Sequence, residues 1–96
     1  MDISSVRHKG LRRYIEKGDA RGLPAQSVAK IDIRLRTLEA LRGIDDFLAL
    51  PRWRPHALKG DRAGTYSISV TANLRMTFEH DPTENSIHIL DLEDYY

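Results

Sequence analysis

His56 to Phe78, HALKGDRAGTYSISVTANLRMTF, is the stretch whose reading decides the fold. Tyr66, Ile68 and Val70 alternate with Ser67 and Ser69, and Leu74, Met76 and Phe78 alternate with Arg75 and Thr77. A period of two is that of half-buried strands. Thr71, Ala72 and Asn73 make the connection, so the two strands form a hairpin. Side chains alternate across a strand, which predicts that Arg75 points away from whatever covers Leu74 and Met76. His56 and Lys59 stand just before the hairpin. With Arg75 they are candidates to converge on a phosphate, because a strand holds its side chains rigidly.

Outward from the hairpin, Asp81 to Asn85 (DPTEN) is a second turn, and Ser86 to Leu92 a last strand. Ile87 and Ile89 sit on one parity of that strand and Leu90 and Leu92 on the other. It is therefore either buried on both faces or bulged. Upstream, Ile3 to Val6 reads as a short first strand. Leu11, Tyr14 and Ile15 recur at helical spacing within His8–Lys17, and Gly18 stands where a left-handed cap belongs. Pro24 suits the first position of a second helix, whose stripe Val28, Ile31, Leu35, Leu38 and Leu41 must face a core. Lys30, Arg34, Arg36 and Arg42 lie mostly off the stripe, and Gly43 is read as its end. Asp45 to Leu50 fits a short turn under the domain before Pro51. Together these predict a single α+β domain over residues 1–96: two N-terminal helices on one face of a mostly antiparallel, twisted sheet of four or five strands. The other face is left for a ligand.

The chain has 96 residues and no cysteine, which excludes a disulfide framework, a thiolate nucleophile and a Cys-based zinc site. No run approaches a membrane span, and Met1 to Lys9 lacks the apolar segment of a secretory signal, so a cytoplasmic protein is expected. The net charge of +1 hides a split: residues 1–62 carry a net +6 and residues 63–96 a net −5. Such asymmetry suits a basic face for a polyanion, although solvated helix faces carry charge in the same way.

HKGL (His8–Leu11), EKGD (Glu16–Asp19), LP (Leu50–Pro51), HALKGDRAGTYSISV (His56–Val70), NLRMTF (Asn73–Phe78) and the terminal DYY (Asp94–Tyr96) occur in that order. In these short matches, spread over nearly the whole chain, the sequence resembles the HigB branch of RelE-type toxins. The resemblance implies a toxin of a type II toxin–antitoxin pair that enters the ribosomal A site and cleaves mRNA there. It also implies a HigA-like helix-turn-helix antitoxin, with operator DNA reached only through the complex, and no membrane partner. In the implied chemistry the ribose 2′-hydroxyl attacks the adjacent phosphate, with no metal or other cofactor.

That reaction needs a base, an acid, and cations for the charge that builds on phosphorus. Histidine ordinarily titrates near neutrality, which makes His56 a candidate acid or base; Lys59 and Arg75 are cations suited to phosphate oxygens. Asp94 is a candidate to orient a neighbour or act as a base, and Tyr95 to stack on a nucleobase or donate to phosphate. The family pattern commonly ends in Asp-Tyr-His. Here Tyr96 stands in place of the imidazole, and a tyrosine donates a proton but is a poor base at neutral pH. His56, Lys59, Arg75 and the tail carboxyl are expected to meet in one pocket on the bare side of the sheet.

Each of these residues also has an ordinary structural role to play. His56 suits a strand cap, Lys59 an exposed turn, Arg75 a cross-sheet pair with Asp91 or Glu93, and the tyrosines a frayed tail. Trp53, between Pro51 and Pro55, suits a clamp over the core edge as well as a stacking platform. His8 is a phosphate ligand or a residue at the start of the first helix; Lys9, Arg12 and Arg13 suit ribosomal RNA or solvent. His80 and His88 are expected to face each other across the last hairpin, but no third ligand follows at zinc spacing. Two other functions remain open: a catalytically weakened binding module that regulates transcription with its antitoxin, and a gyrase poison of the related ParE type. The acid–base set argues against the second.

Overall fold

A computed structural model describes residues 1–94. Its elements run β1 (Asp2–Ile3), α1 (Lys9–Lys17), α2 (Val28–Ala40), α3 (Ile44–Leu48), β2 (His56–Ala57), β3 (Thr65–Ser69), β4 (Leu74–Asp81) and β5 (Ser86–Asp94). They form an α+β fold around one five-stranded sheet of order β1-β5-β4-β3-β2. The sheet is mixed, which corrects the antiparallel expectation at one edge: β1 runs parallel to β5, through Asp2 opposite Ser86 and Ile3 opposite Ile87. β1 is also shorter than the predicted Ile3–Val6, with Val6 making only an isolated bridge to Leu90. The other three pairings are antiparallel.

The helical spacings carry through. His8 caps α1, its Nδ1 accepting the Leu11 N–H at 3.0 Å, and Gly18 closes the helix at φ 69°. Pro24 stands one position ahead of a single 3-10 turn, Ala25–Ser27, that leads into α2. α2 stops at Ala40, short of Gly43, and Gly43 instead precedes α3. Five residues are too few to show a helical period, so α3 reads in the sequence only as a packed turn. Its Phe47 is fully buried, edge-on to Phe78 with ring centroids 5.0 Å apart.

Ile31, Leu35 and Leu38 of α2 join Leu11, Phe47, Ile68, Met76, Phe78, Ile87, Leu90 and Leu92 in one core. Arg34 departs from the predicted solvated face and is buried. Its Nε donates to the Ser69 carbonyl at 2.8 Å and its Nη1 to that of Lys30 at 2.9 Å, while the guanidinium lies 4.5 Å from the centre of the Trp53 ring. A buried cation is tolerated when its N–H groups are satisfied and an aromatic face covers it. Trp53 is thus the clamp at the core edge. Among the described residues no helix is long and apolar enough to cross a membrane.

β5 resolves its own ambiguity with a bulge. Thr77 lies opposite Asp91 but Glu79 opposite His88, so Ile89 and Leu90 together face Phe78, and Ile89 takes φ 53°. Ile87, Leu90 and Leu92 consequently all reach the core, while Ile89 is turned out.

The first turn of α1 is pressed against the loop before α2. A Cβ built on Gly10 would lie 2.1 Å from the Gly22 carbonyl oxygen. Helix propensity alone makes Gly10→Ala stabilising by about 1 kcal/mol. The backbone clash reverses the sign, and urea unfolding is expected to show a loss of roughly 1–3 kcal/mol; a gain would show that the loop yields freely.

Candidate active site

The pairing register places His56 opposite Ser67, Ser67 opposite Thr77 and Thr77 opposite Asp91. In the next row Ser69 lies opposite Arg75 and Arg75 opposite Glu93. Paired residues point to one side of a sheet, and this side is the one away from Ile68, Met76 and the helices. His56 and Arg75 therefore share a face, two strands and two residues apart, roughly 12 Å between backbones.

His56 is exposed, and its Nδ1 lies 2.8 Å from the Arg54 carbonyl. A carbonyl only accepts, so Nδ1 carries the hydrogen and the neutral ring keeps its lone pair on Nε2. That is the tautomer a general base requires. Lys59 is exposed and stands ahead of the turn Gly60–Arg62, which Gly60 enters at φ 67°.

The face is not bare, as the sequence had suggested. Arg62 reaches across the sheet to Glu93, its Nη1 and Nη2 each donating at 2.6 Å to a separate carboxylate oxygen. Thr77 Oγ1 donates to Glu93 at 2.6 Å and Arg75 Nη2 at 3.3 Å. The structural pairing considered for Arg75 is thus realised with Glu93. Charge-assisted, bidentate bonds of this kind are the strong ones. Chiefly through the Arg62 hydrogen bonds, and then through Thr77 and Arg75, the Glu93 carboxyl is held at about 2 against an ordinary 4.5. The same carboxylate raises Arg62.

Asp94 falls on the other side. It lies opposite Leu74 and lines a recess with His8, Arg21, Pro24 and Leu92. The four-group convergence is therefore corrected: Arg75 shares its face with His56, but the carboxylate beside it is Glu93. Tyr95 and Tyr96 lie outside the described residues. His8 serves as the α1 cap, and because its Nδ1 accepts, its neutral ring carries the hydrogen on Nε2. Lys9, Arg12 and Arg13 are exposed on α1. His80 and His88 do not face each other: His80 lies opposite Ile87 and bonds the Asn85 side chain, while His88 lies opposite Glu79 and bonds Ser86.

Sequence reasoning passed over Arg62, Ser67 and Thr77. Strand alternation already put Ser67 and Thr77 on the Arg75 face. Nothing in KGDR signals that the arginine reaches across three strands, since a turn's exit direction has no local code.

Glu93 also sets a pH dependence. Its folded-state pKa is depressed, so its contribution is fully present above about 4.5 and is lost as pH falls toward about 2. Glu93→Gln is expected to cost roughly 1–3 kcal/mol of stability at pH 7 and progressively less in acid. Urea midpoints of the two proteins that stay equally far apart from pH 7 to pH 2.5 would contradict this.

Comparison with known proteins agrees with the geometry. Residues 4–95 match the model of the RelE-like toxin of type II toxin-antitoxin system HigB. The chain is 42% identical over 94 residues to Endoribonuclease HigB of Proteus vulgaris, covering 98% of this chain and 99% of that protein. The fold is that of the YoeB/ParE toxin from Agrobacterium tumefaciens, with TM-score 0.66 and 21% identity over the whole of both chains. A chain of the YoeB-YefM complex from Staphylococcus aureus gives 0.63 at 18%, again over the whole of both chains. YafQ from E. coli gives 0.60 at 15%, over 98% of this chain and 92% of that one. The chain belongs to the HigB-like family of RelE-type toxins of type II toxin–antitoxin systems.

Proposed function

We propose that this toxin is an mRNA endoribonuclease that acts on the ribosome, in the A site, and so stops translation. The 2′-oxygen bonds to phosphorus and the P–O5′ bond breaks, leaving a 2′,3′-cyclic phosphate and a free 5′-hydroxyl. A base takes the 2′ proton and an acid supplies one to the leaving oxygen. The observation that carries this reading is His56, with Nδ1 anchored on the Arg54 carbonyl, on the sheet face that also presents Arg75. His56 is the base, and Lys59 and Arg75 stabilise charge on the phosphate oxygens. Asp94, on the opposite side of the sheet, is left out of this set; Tyr95 and Tyr96 complete it from the tail, with a tyrosine hydroxyl as proton donor in place of the imidazole common at the end of this family. His8, across the recess from Asp94, and the exposed Lys9, Arg12 and Arg13 meet RNA. No metal takes part.

Toxins of this system act with an antitoxin. For this chain the antitoxin is a HigA-like helix-turn-helix protein, which holds the toxin inactive and carries it to operator DNA. The protein works in the cytoplasm.

Purified ribosomes carrying a defined mRNA test the reading, with cleavage followed by primer extension. His56→Ala is expected to lower the cleavage rate about 10²–10⁴-fold. Tyr96→His, which restores a second imidazole, is expected to raise it. If His56→Ala cuts as fast as the parent, His56 is not the base. Induction without antitoxin separates the other functions: growth without arrest selects a binding module, and a DNA-damage response selects a gyrase poison.

A further inference from the structure

Among the described residues the Glu93 carboxylate has four donors on its two oxygens: both Arg62 Nη atoms, Arg75 Nη2 and Thr77 Oγ1. A planar pair of oxygens gripped by a guanidinium fork, a second guanidinium and a hydroxyl is how a phosphodiester's two non-bridging oxygens are bound. We propose that Glu93 sits, in the free toxin, in the seat of an RNA backbone phosphate, and that Arg62 is a phosphate ligand which exchanges that carboxylate for the phosphate when RNA binds. The inference rests on the ribonuclease reading above and adds to it a binding residue and a built-in competitor.

Three further observations support the exchange. The seat lies one row from His56 on the same face, and in the His56 row the fully buried Ser67 hydroxyl finds no hydrogen-bond partner among the described residues. Next, the cleft of about 220 Å³ in front of Glu93 is lined by Arg7 and Arg62 against Asp61, Glu79, Asp91 and Glu93. Two cations facing four carboxylates repel a bare phosphate. Turning Glu93 out of the fork frees the donors and moves its charge away from the seat, and only its substitution removes that charge. Finally, the Arg62 side chain is 43% exposed and stands on a turn, so it can change partner without moving the sheet.

The test measures affinity without cleavage. A fluorescein-labelled RNA hexanucleotide with every ribose 2′-O-methylated has no nucleophile, and its binding is followed by anisotropy over a series of salt concentrations. Glu93→Gln is expected to bind about tenfold more tightly than the parent. Arg62→Gln is expected to bind about tenfold more weakly, with a log–log salt slope shallower by about one. The double variant loses the Glu93→Gln gain. Arg62→Gln lies on an exposed turn, and its melting profile checks that it is folded, so the inference stays falsifiable even if Glu93→Gln is poorly stable. Glu93→Gln binding no better than the parent, or an unchanged affinity and slope in Arg62→Gln, overturns the exchange and leaves the nuclease reading intact. Affinities in the stated order, combined with no cut on ribosomes by the parent, support the exchange and overturn the nuclease reading instead.

Discussion

The bulge in β5 is the constraint on which the active face depends. Ile89 and Leu90 stand where a regular ladder has one residue, so every side chain beyond them changes side. Continuing the register of His80–Ile87 without the bulge would set Glu93 opposite Leu74, in the core, and Leu92 beside Arg75. With the bulge, Leu90 and Leu92 are buried and Glu93 meets Arg75. A β-branched residue at positive φ costs about 1–2 kcal/mol. Burying the two leucines returns roughly 1.5–3 kcal/mol each. The N-terminal segment grips the irregular backbone as well, since Ser5 accepts the Ile89 N–H through its hydroxyl and the Leu90 N–H through its carbonyl.

If Arg62 and Arg75 take a phosphate as proposed, stability and recognition are written on the same atoms. The Glu93 carboxylate fastens the turn Gly60–Arg62 over the sheet and, in the exchange proposed above, also holds the guanidinium groups that RNA would take. A group that serves the resting protein by occupying a ligand's place is expected where function and stability compete. The rest of the framework is fixed independently of the site: Arg34 ties α2 to β3 and Trp53, and the Met1 ammonium donates to the carbonyls of Leu38, Glu39 and Leu41 at the end of α2.

Much of this was legible in the residues. The α2 stripe, the Gly18 cap and the β3–β4 alternation follow from local spacing, and alternation alone put Arg75 on the face of Ser67 and Thr77. What could not be read depended on partners far along the chain. β1 becomes a parallel strand only because β5 offers it an edge. Arg34 looks like a solvated cation until Trp53 covers it. Asp94 was assigned to the site and Glu93 to a side pairing; with one extra residue in β5 the two carboxylates exchange sides, and the sequence leaves open whether that residue is there.

The parallel pairing of β1 with β5 joins the two ends of the described chain, Asp2 with Ser86. Contacts so distant in sequence form late, after the chain entropy they demand has been met by nearer ones. Until β5 docks, β4 keeps an open edge and the two guanidinium groups lack the Glu93 carboxylate, so the face that carries His56 is the last part of the sheet to be completed.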